Sequence, residues 1–168
     1  MMVGLAPDSL TYSSPDGLGL QSKMFRLIIA GSRYFHSYSL LCRVCDKMLS
    51  RKVADRETIT VLSGHCHGAD LLGEAYARER GFDLETYEAE WTRYGPAAGP
   101  KRNAAMAEKA DALMCFWNGR SRGTRNMIEE AMRRGLKVRV CLYEEEGSPV
   151  KGGAAVHEAL DGTGTKKP

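Results

Sequence analysis

Five short apolar runs alternate along this chain with longer segments in which apolar residues recur every three or four positions. The runs have the length of buried strands, and the longer segments show the stripe of an amphipathic helix. The predicted strands are residues 25–30, 58–62, 82–89, 111–117 and 136–143. Strands that alternate with helices at this spacing predict an α/β, Rossmann-like, doubly wound fold, with a mainly parallel five-stranded sheet and helices on both faces.

Local signals predict where helices begin and end and which residues they bury. Ser37 is the predicted N-cap of the helix after the first strand, and Gly81 is the predicted stop of the second helix. In the last helix, four apolar residues are expected to face the core: Met127, Ile128, Ala131 and Met132. Residues 90–94 are interpreted as an aromatic and charged loop.

The length of the chain supports one domain. With 168 residues and 43% hydrophobic content, the chain can bury one full core and is too short for two large ones. Residues 24–143 are the predicted domain, and the composition of residues 1–23 and 144–168 predicts a flexible leader and a flexible tail. Met24, directly before the first strand, is an alternative start of the protein.

Charge and cysteine usage narrow the function classes. A net charge of +3 is small for a protein that coats nucleic acid nonspecifically, so the arginines matter by position. Five cysteines, without an apolar signal segment, indicate a reducing compartment. No run reaches the roughly 18 apolar residues of a membrane span. We therefore expect a cytoplasmic protein with no membrane partner.

The most informative stretch is residues 95–124, where two glycine-rich turns each precede a helix. Pro100 suits the first turn of a helix. Lys101, Arg102 and Asn103 follow at the helix N-terminus, where free N–H groups and the helix dipole attract anions. A short buried strand then leads to residues 118–124 (NGRSRGT) and another helix. Two helix N-termini at one sheet edge predict a shared phosphate site.

The turns after the other strands carry further candidates, because parallel sheets bind ligands at the carboxyl ends of their strands. We expect the loops after the first two strands to frame a sugar, and Trp91 or Tyr94 to stack on a base. The predicted ligand-binding residues are Gly31, Ser32, Arg33, Gly64, His67, Gly68, Trp91, Tyr94, Lys101, Arg102, Asn103, Asn118, Gly119, Ser121, Gly123 and Thr124.

Each of these candidates also has a simpler interpretation. The turn at residues 119–124 could be a plain tight turn before a helix, and Arg33 a surface cation. Asp70 is either a ribose or catalytic contact or a helix-start carboxylate, which the helix dipole favours without any function. Trp91 and Tyr94 could simply cover the sheet edge.

A metal site is not predicted, although some histidines and cysteines lie close together in the sequence. His65, Cys66 and His67 alternate within a turn, where neighbouring side chains point apart. Cys42 and Cys45 fall inside a helical apolar stripe and are expected to pack in the core. No cofactor is predicted either.

Four segments together resemble the SLOG superfamily (SMF/DprA and LOG proteins), and most closely its YspA-type, YpsA-related branch. The segments are IIAGSR at residues 28–33, SGHCHGAD at 63–70, AEWTRYGPAAGPKRNAAM at 89–106 and WNGRSRGTRNMI at 117–128. The resemblance implies a Rossmann-like sheet with a pocket for a nucleotide or nucleotide-derived ligand. Relatives tend to have GGARGAD at the second-strand turn, where this chain has His65 and His67 in place of a glycine and an arginine.

The resemblance also raises the possibility of an enzyme. LOG proteins are phosphoribohydrolases that cleave the N-glycosidic bond of nucleoside 5′-monophosphates, and Arg102 matches the arginine of their pattern. The glutamate of that pattern falls on Met127, which cannot stabilise an oxocarbenium-like transition state. In an enzyme, Asp70 or Glu90 would have to supply the carboxylate, so the catalytic candidates are Arg102, Asp70 and Glu90.

The preferred hypothesis is a sensor or carrier domain that binds an anionic, nucleotide-derived small molecule. The alternative is a LOG-like N-glycoside hydrolase or phosphoribohydrolase acting on nucleoside monophosphates. Single-stranded DNA binding of the DprA kind ranks third, because it requires a basic groove with several stacking aromatics. The basic residues Arg133, Arg134, Lys137 and Arg139 are expected to form a solvated face. Homodimerisation through helices is left open.

Overall fold

The computed structural model describes residues 23–144. Apart from Lys23 and Glu144, the predicted leader and tail lie outside the described residues. In chain order, the elements are β1 (Met24–Gly31), α1 (Tyr38–Ala54), β2 (Thr58–Ser63), α2 (Ala69–Arg80), β3 (Asp83–Thr86), α3 (Trp91–Tyr94), a 3₁₀ turn (Gly95–Ala97), α4 (Ala98–Lys109), β4 (Ala112–Trp117), α5 (Arg122–Arg133) and β5 (Lys137–Leu142).

The five strands form one sheet in the order β3-β2-β1-β4-β5, and every neighbouring pair is parallel. Leu27 at the centre of β1 pairs with Val61 of β2 on one side and with Ala112 of β4 on the other. The chain moves outward from β1 to β3 and then returns to β4, so the strand order reverses between β1 and β4. The predicted Rossmann-like α/β fold is confirmed, and the reversal marks the edge at which such sheets bind ligands.

The core lies on both faces of the sheet, because successive residues of a strand point to opposite sides. Leu27 and Ile29 of β1 belong to the cluster that also buries Leu41 of α1 and Tyr76 of α2. Ile28 lies in the other cluster, which contains Met106 and Ala107 of α4 and Met127 and Ala131 of α5. Each fully buried leucine or isoleucine contributes about 1.5–3 kcal/mol relative to an exposed position. The second layer therefore places α4 and α5 on the same face of the sheet.

Three local predictions are wrong. The third strand has four residues, Asp83–Thr86, because it is an edge strand that pairs only with β2. The stretch predicted as a loop at residues 90–94 contains the helical turn α3, followed by a 3₁₀ turn. Met132 is 65% exposed, since it lies one position beyond Ala131, where the buried stripe of α5 ends.

Both predicted helix ends are correct in place, and only the one at Ser37 differs in mechanism. Gly81 ends α2 in the left-handed conformation, as expected of a glycine stop. Ser37 does occupy the N-cap position of α1, but its side chain makes no capping hydrogen bond. The Ser37 carbonyl oxygen instead accepts a hydrogen bond from the Leu41 N–H. Within residues 23–144, no helix is both long and apolar enough to cross a membrane.

Candidate functional site

A pocket of about 500 Å³ opens at the carboxyl end of β1, between the N-terminal turns of α4 and α5. Its lining consists of Ala30, Gly31, Arg33, Cys66, Asp70, Trp91, Pro96, Gly99, Pro100, Arg102, Asn103, Met106, Ser121, Arg122, Gly123, Thr124, Asn126 and Met127. Residues from the loops after β1, β2 and β4 therefore meet in one cavity. Its volume lies within the range of small-molecule sites, about 300–1,000 Å³.

The turn before α5 holds the N-terminus of that helix against the pocket. The Asn118 side-chain oxygen accepts hydrogen bonds from the Arg120 and Ser121 N–H groups, at 3.0 and 2.9 Å. Ser121 then caps the helix, because its Oγ accepts hydrogen bonds from the N–H and the hydroxyl of Thr124. Gly119 has φ 75°, a conformation that a turn of this shape requires and that side chains disfavour. The first N–H groups of α5 consequently face the cavity, with the positive end of the helix dipole.

Arg102 lines the pocket and extends from α4 to the loop after β2. Its Nη1 donates to the Gly64 carbonyl oxygen and to Cys66 Sγ, and its Nε donates to the Asn103 side-chain oxygen at 3.0 Å. A methyl group on the Gly64 Cα would clash with the guanidinium and with the Asp70 carboxylate, so one of these side chains would have to move. Among the described residues, these bonds use Nε and Nη1 and leave the two Nη2 donors of Arg102 for a ligand.

Asn103 joins α4 to the first turn of α5. It is 4% exposed, and its side-chain nitrogen donates to the Gly123 carbonyl oxygen at 3.3 Å and to the Asn126 side-chain oxygen at 2.9 Å. Together with the bond that it accepts from Arg102, these contacts occupy most of its hydrogen-bonding capacity. Asn103 thus positions Arg102 and the N-terminus of α5 relative to each other.

Asp70 is the carboxylate among the residues that line the pocket, and it is 4% exposed. Burial raises its pKa to about 6, although Arg102 and backbone N–H groups of Cys66, Gly31 and Gly64 favour the anion. The loops around Asp70 are tightly packed. A methyl group at Gly31 would meet the Phe116 carbonyl oxygen.

The structure brings nine of the predicted site residues into the pocket lining, which are Gly31, Arg33, Asp70, Trp91, Arg102, Asn103, Ser121, Gly123 and Thr124. Nine other predicted residues lie outside it, which are Ser32, Gly64, His67, Gly68, Glu90, Tyr94, Lys101, Asn118 and Gly119. Several of the second group shape the loops. The Ser32 hydroxyl, for example, accepts a hydrogen bond from the Asn118 N–H at 3.2 Å.

Lys101 and Tyr94 contact each other instead of the cavity. The Lys101 ammonium lies 4.7 Å from the centre of the Tyr94 ring, and Arg93 lies on the same ring at 4.9 Å. Trp91 is different, since it is 52% exposed and lines the pocket. Glu90 forms an exposed ion pair with Arg93 at 3.4 Å, away from the lining. Trp91 is thus the aromatic side chain of the lining that can stack on a base.

The two histidines of the second-strand turn do not line the pocket. His65 Nδ1 lies 2.8 Å from the buried carboxylate of Glu74, which also accepts hydrogen bonds from Ser63 and Arg78. This carboxylate raises the pKa of His65. His65 also has φ 55°, a conformation that favours glycine. The imidazole of His65 therefore stabilises the loop after β2 through Glu74 and does not contact the pocket.

Sequence reasoning missed Cys66, Pro96, Arg122 and Asn126 as pocket residues. Arg122 lies inside the predicted phosphate turn, but that turn and the start of α5 contain three arginines, Arg120, Arg122 and Arg125. Arg122 faces the cavity because α5 begins at this residue, and the sequence alone does not show where the helix begins. Asn126 had one available signal, since it lies four residues after Arg122 on the same helical face.

The carboxylates of α5 lie away from the pocket. Met127 is buried and lines the cavity floor. Glu129 is exposed, and Glu130 pairs with Arg133 at 2.6 Å. Neither glutamate replaces a carboxylate at the position of Met127.

Comparison with known proteins identifies the family of this chain. The model of the YAcAr family, described as the YspA, cpYpsA-related SLOG family, matches residues 25–94. The Gene 61 protein of Mycobacterium phage D29 is 32% identical over 121 residues, which are 68% of this chain and 94% of that protein. The chain belongs to the YAcAr family.

The fold of this YAcAr protein also resembles a solved structure. The X-ray structure of DNA processing protein A (DprA) from Streptococcus pneumoniae matches with a TM-score of 0.53 and 16% sequence identity. The match covers 70% of this chain and 50% of the DprA chain, so the YAcAr chain spans about half of DprA. At this identity the likeness shows a shared fold. SLOG membership points to nucleotide-related ligand binding as the general class of function.

Proposed function

We propose that this YAcAr protein binds an anionic nucleotide or nucleotide-derived ligand at the carboxyl edge of its sheet, as a sensor or carrier domain. The observation that carries the proposal is the convergence of Arg33, Arg102 and the N-terminus of α5 on one cavity. These groups come from the loop after β1, from α4 and from the start of α5, which are far apart in the sequence. Their common property is an affinity for negative charge.

The charge balance of the lining supports an anionic ligand. Arg33, Arg102 and Arg122 contribute three positive charges, against one carboxylate from Asp70. The α5 dipole adds a partial positive charge at Ser121–Thr124, where phosphate binds readily. Arginine suits phosphate because its planar guanidinium donates two parallel hydrogen bonds. A phosphoryl group is therefore proposed to lie at the start of α5.

The remaining lining suits the rest of a nucleotide. Trp91, the first residue of α3, lines the pocket and is 52% exposed. Base stacking on an aromatic side chain is worth about 1–3 kcal/mol and tolerates different bases. Asp70 provides an acceptor deep in the cavity.

Mass spectrometry of small molecules that remain bound through native purification tests the proposal. We expect a phosphate-bearing nucleotide derivative, and we expect added ribonucleoside 5′-phosphates to bind to the emptied protein in calorimetry. Recovery of no phosphorylated compound, together with no heat of binding from any nucleotide, would contradict the proposal. An Arg51→Ala variant serves as a charge-matched control, because Arg51 is exposed on α1 and outside the lining.

Hydrolysis of an N-glycosidic bond is the second candidate function. Its support is Asp70, a buried carboxyl group beside Arg102 whose pKa of about 6 suits proton transfer near neutral pH. Its weakness is Met127, where a LOG-like enzyme has a glutamate. Incubation with nucleoside monophosphates and chromatography for free base decides between binding and turnover. Release of base that disappears in Asp70→Ala would support the enzyme.

A further inference from the structure

We infer that Asp70 recognises a sugar hydroxyl, and hence that the ligand of this pocket is a ribonucleotide derivative in preference to its deoxy counterpart. The inference rests on the proposed function and names the class of ligand within it. It starts from the mixed chemistry of the lining, in which a single carboxylate shares a cavity with three arginines.

The Asp70 carboxylate is committed to accepting hydrogen bonds. Arg102 and the backbone N–H groups of Gly31, Gly64 and Cys66 favour its anionic form. An ionised carboxylate accepts hydrogen bonds at about four sites and donates none. Because Asp70 lines the cavity, its carboxylate is available to a ligand. The matching ligand group is a hydrogen-bond donor.

This requirement excludes a phosphate at Asp70. A phosphoryl oxygen carries negative charge and accepts hydrogen bonds, so it would be repelled by a buried carboxylate. Ser121–Thr124 and the Arg122 side chain offer the phosphate a better place. The anionic end of the ligand and Asp70 therefore belong to different parts of the pocket.

The base is placed by another part of the lining. Trp91 is 52% exposed, whereas Asp70 is 4% exposed, so the stacking surface is open to solvent and the carboxylate is buried. In a nucleotide, the sugar is the unit that connects base and phosphate, and its hydroxyl groups are hydrogen-bond donors. With the phosphate at α5 and the base at Trp91, the sugar is the part left to face Asp70.

A site that hydrogen-bonds a ligand hydroxyl discriminates strongly against the analogue that lacks it. When the analogue binds, the buried acceptor is removed from water and has no hydrogen-bond donor in its place. We expect at least tenfold weaker binding when the hydroxyl is removed, since a hydrogen bond to a charged group contributes about 1.5–3 kcal/mol, or about 10- to 150-fold in affinity. The same contact would disfavour DNA, whose sugar has no 2′-hydroxyl.

Calorimetry on the full chain tests the inference with the four ribonucleoside 5′-monophosphates and their 2′-deoxy, 3′-deoxy and 2′,3′-dideoxy counterparts. We expect the dideoxy compounds to bind at least tenfold more weakly than the ribonucleotides, and the two monodeoxy series to show which hydroxyl is read. Equal affinity of ribo and dideoxy compounds would overturn the inference and leave the proposed function standing. Failure of every nucleotide to bind would overturn both.

Two further comparisons connect the discrimination with Asp70. In Asp70→Asn, confirmed as folded by its thermal transition, the preference for ribonucleotides should fall at least fivefold, while Asp83→Asn, the same chemical change on exposed β3, should keep it. A folded Asp70→Asn protein with the full preference would overturn the assignment. The assignment would also be overturned if the wild-type protein preferred adenosine over inosine monophosphate in place of ribonucleotides over deoxyribonucleotides, because Asp70 would then bind the exocyclic amine. This last measurement uses the wild-type protein and needs no variant to fold.

Discussion

Arg102 Nη1 donates a hydrogen bond to the carbonyl oxygen of Gly64, and through this bond α4 holds the loop that follows β2. The bond joins two sides of the sheet, because α4 packs on one face and α2, which follows that loop, packs on the other. The contact fixes the guanidinium in the pocket lining. It also explains why the loop contains a glycine beside Asp70.

Gly64→Ala is expected to weaken ligand binding at least tenfold. The added methyl group would clash with the Arg102 guanidinium and would lie 2.8 Å from an Asp70 carboxylate oxygen, so at least one of the two must move. Calorimetric titration with the nucleotide recovered from the protein measures the loss.

The Arg102→Ala background provides the control for this change. Because the guanidinium is then absent, Gly64→Ala should cost less stability there than in the wild-type chain. Equal costs in both backgrounds, measured by urea unfolding, would show that the methyl group acts elsewhere.

Asp70 should give the protein a specific pH dependence of stability. Burial raises the folded-state pKa of Asp70 from its ordinary value of 3.8 to about 6, so the folded chain binds the proton more tightly than the unfolded chain. The contribution of Asp70 to the free energy of unfolding is therefore fully present below pH 3.8, and it is lost as the pH rises through about 6. Relative to Asp70→Asn, the wild-type free energy of unfolding should fall by about 2 kcal/mol between pH 4 and pH 7.

Denaturant titrations of both proteins across this pH range give the difference directly. A wild-type stability that runs parallel to that of Asp70→Asn at every pH would mean that Asp70 titrates normally in the folded protein.

Much of the fold could be predicted from the sequence, because buried parallel strands such as 111–117 are nearly continuous apolar runs. The order of strands and helices follows from that pattern. The short helix α3 could not be predicted, since four residues show no helical periodicity and such a turn is stable only through its tertiary contacts. Likewise, the exposure of Met132 depends on where the buried stripe of α5 ends.

The candidate site could be predicted in outline only. The sequence places both Lys101 and Arg102 near a helix N-terminus, but consecutive residues on a helix point about 100° apart. The packing of α4 turns Arg102 to the cavity and leaves Lys101 on the Tyr94 ring. Asn103 shows the same limit, because its hydrogen bonds to α5 depend on how two distant helices meet.

His65→Gly is expected to be more destabilising at pH 5.5 than at pH 8.5. The pKa of His65 is raised by its hydrogen bond to Glu74, so its contribution is present below the unfolded value near 6.5 and is lost as the pH rises through the higher folded value. Glycine also removes the strain of the left-handed backbone at φ 55°, and this effect stabilises the variant equally at every pH.

Thermal unfolding at the two pH values measures this effect, and Glu74→Gln is the matched background. Without the carboxylate, the pH difference caused by His65→Gly should disappear. If it persists, the imidazole titrates against another group.

Asn103→Ala should lower stability by about 1–3 kcal/mol, because it removes buried hydrogen-bond partners of Asn126 and Arg102. It should also weaken nucleotide binding, since Arg102 and the α5 N-terminus lose their common support. Urea unfolding and calorimetry together check both effects. A variant that is less stable but binds nucleotide as tightly as the wild type would exclude the positioning role.

The most direct test of the account is the nucleotide affinity of Arg102→Ala beside that of Arg51→Ala, both measured by calorimetry at the same salt concentration. Each variant loses one positive charge, but only Arg102 lines the pocket. We predict at least a tenfold loss of affinity for Arg102→Ala and a change of less than twofold for Arg51→Ala. Equal affinities of the two variants would contradict the claim that an anion is held at this pocket.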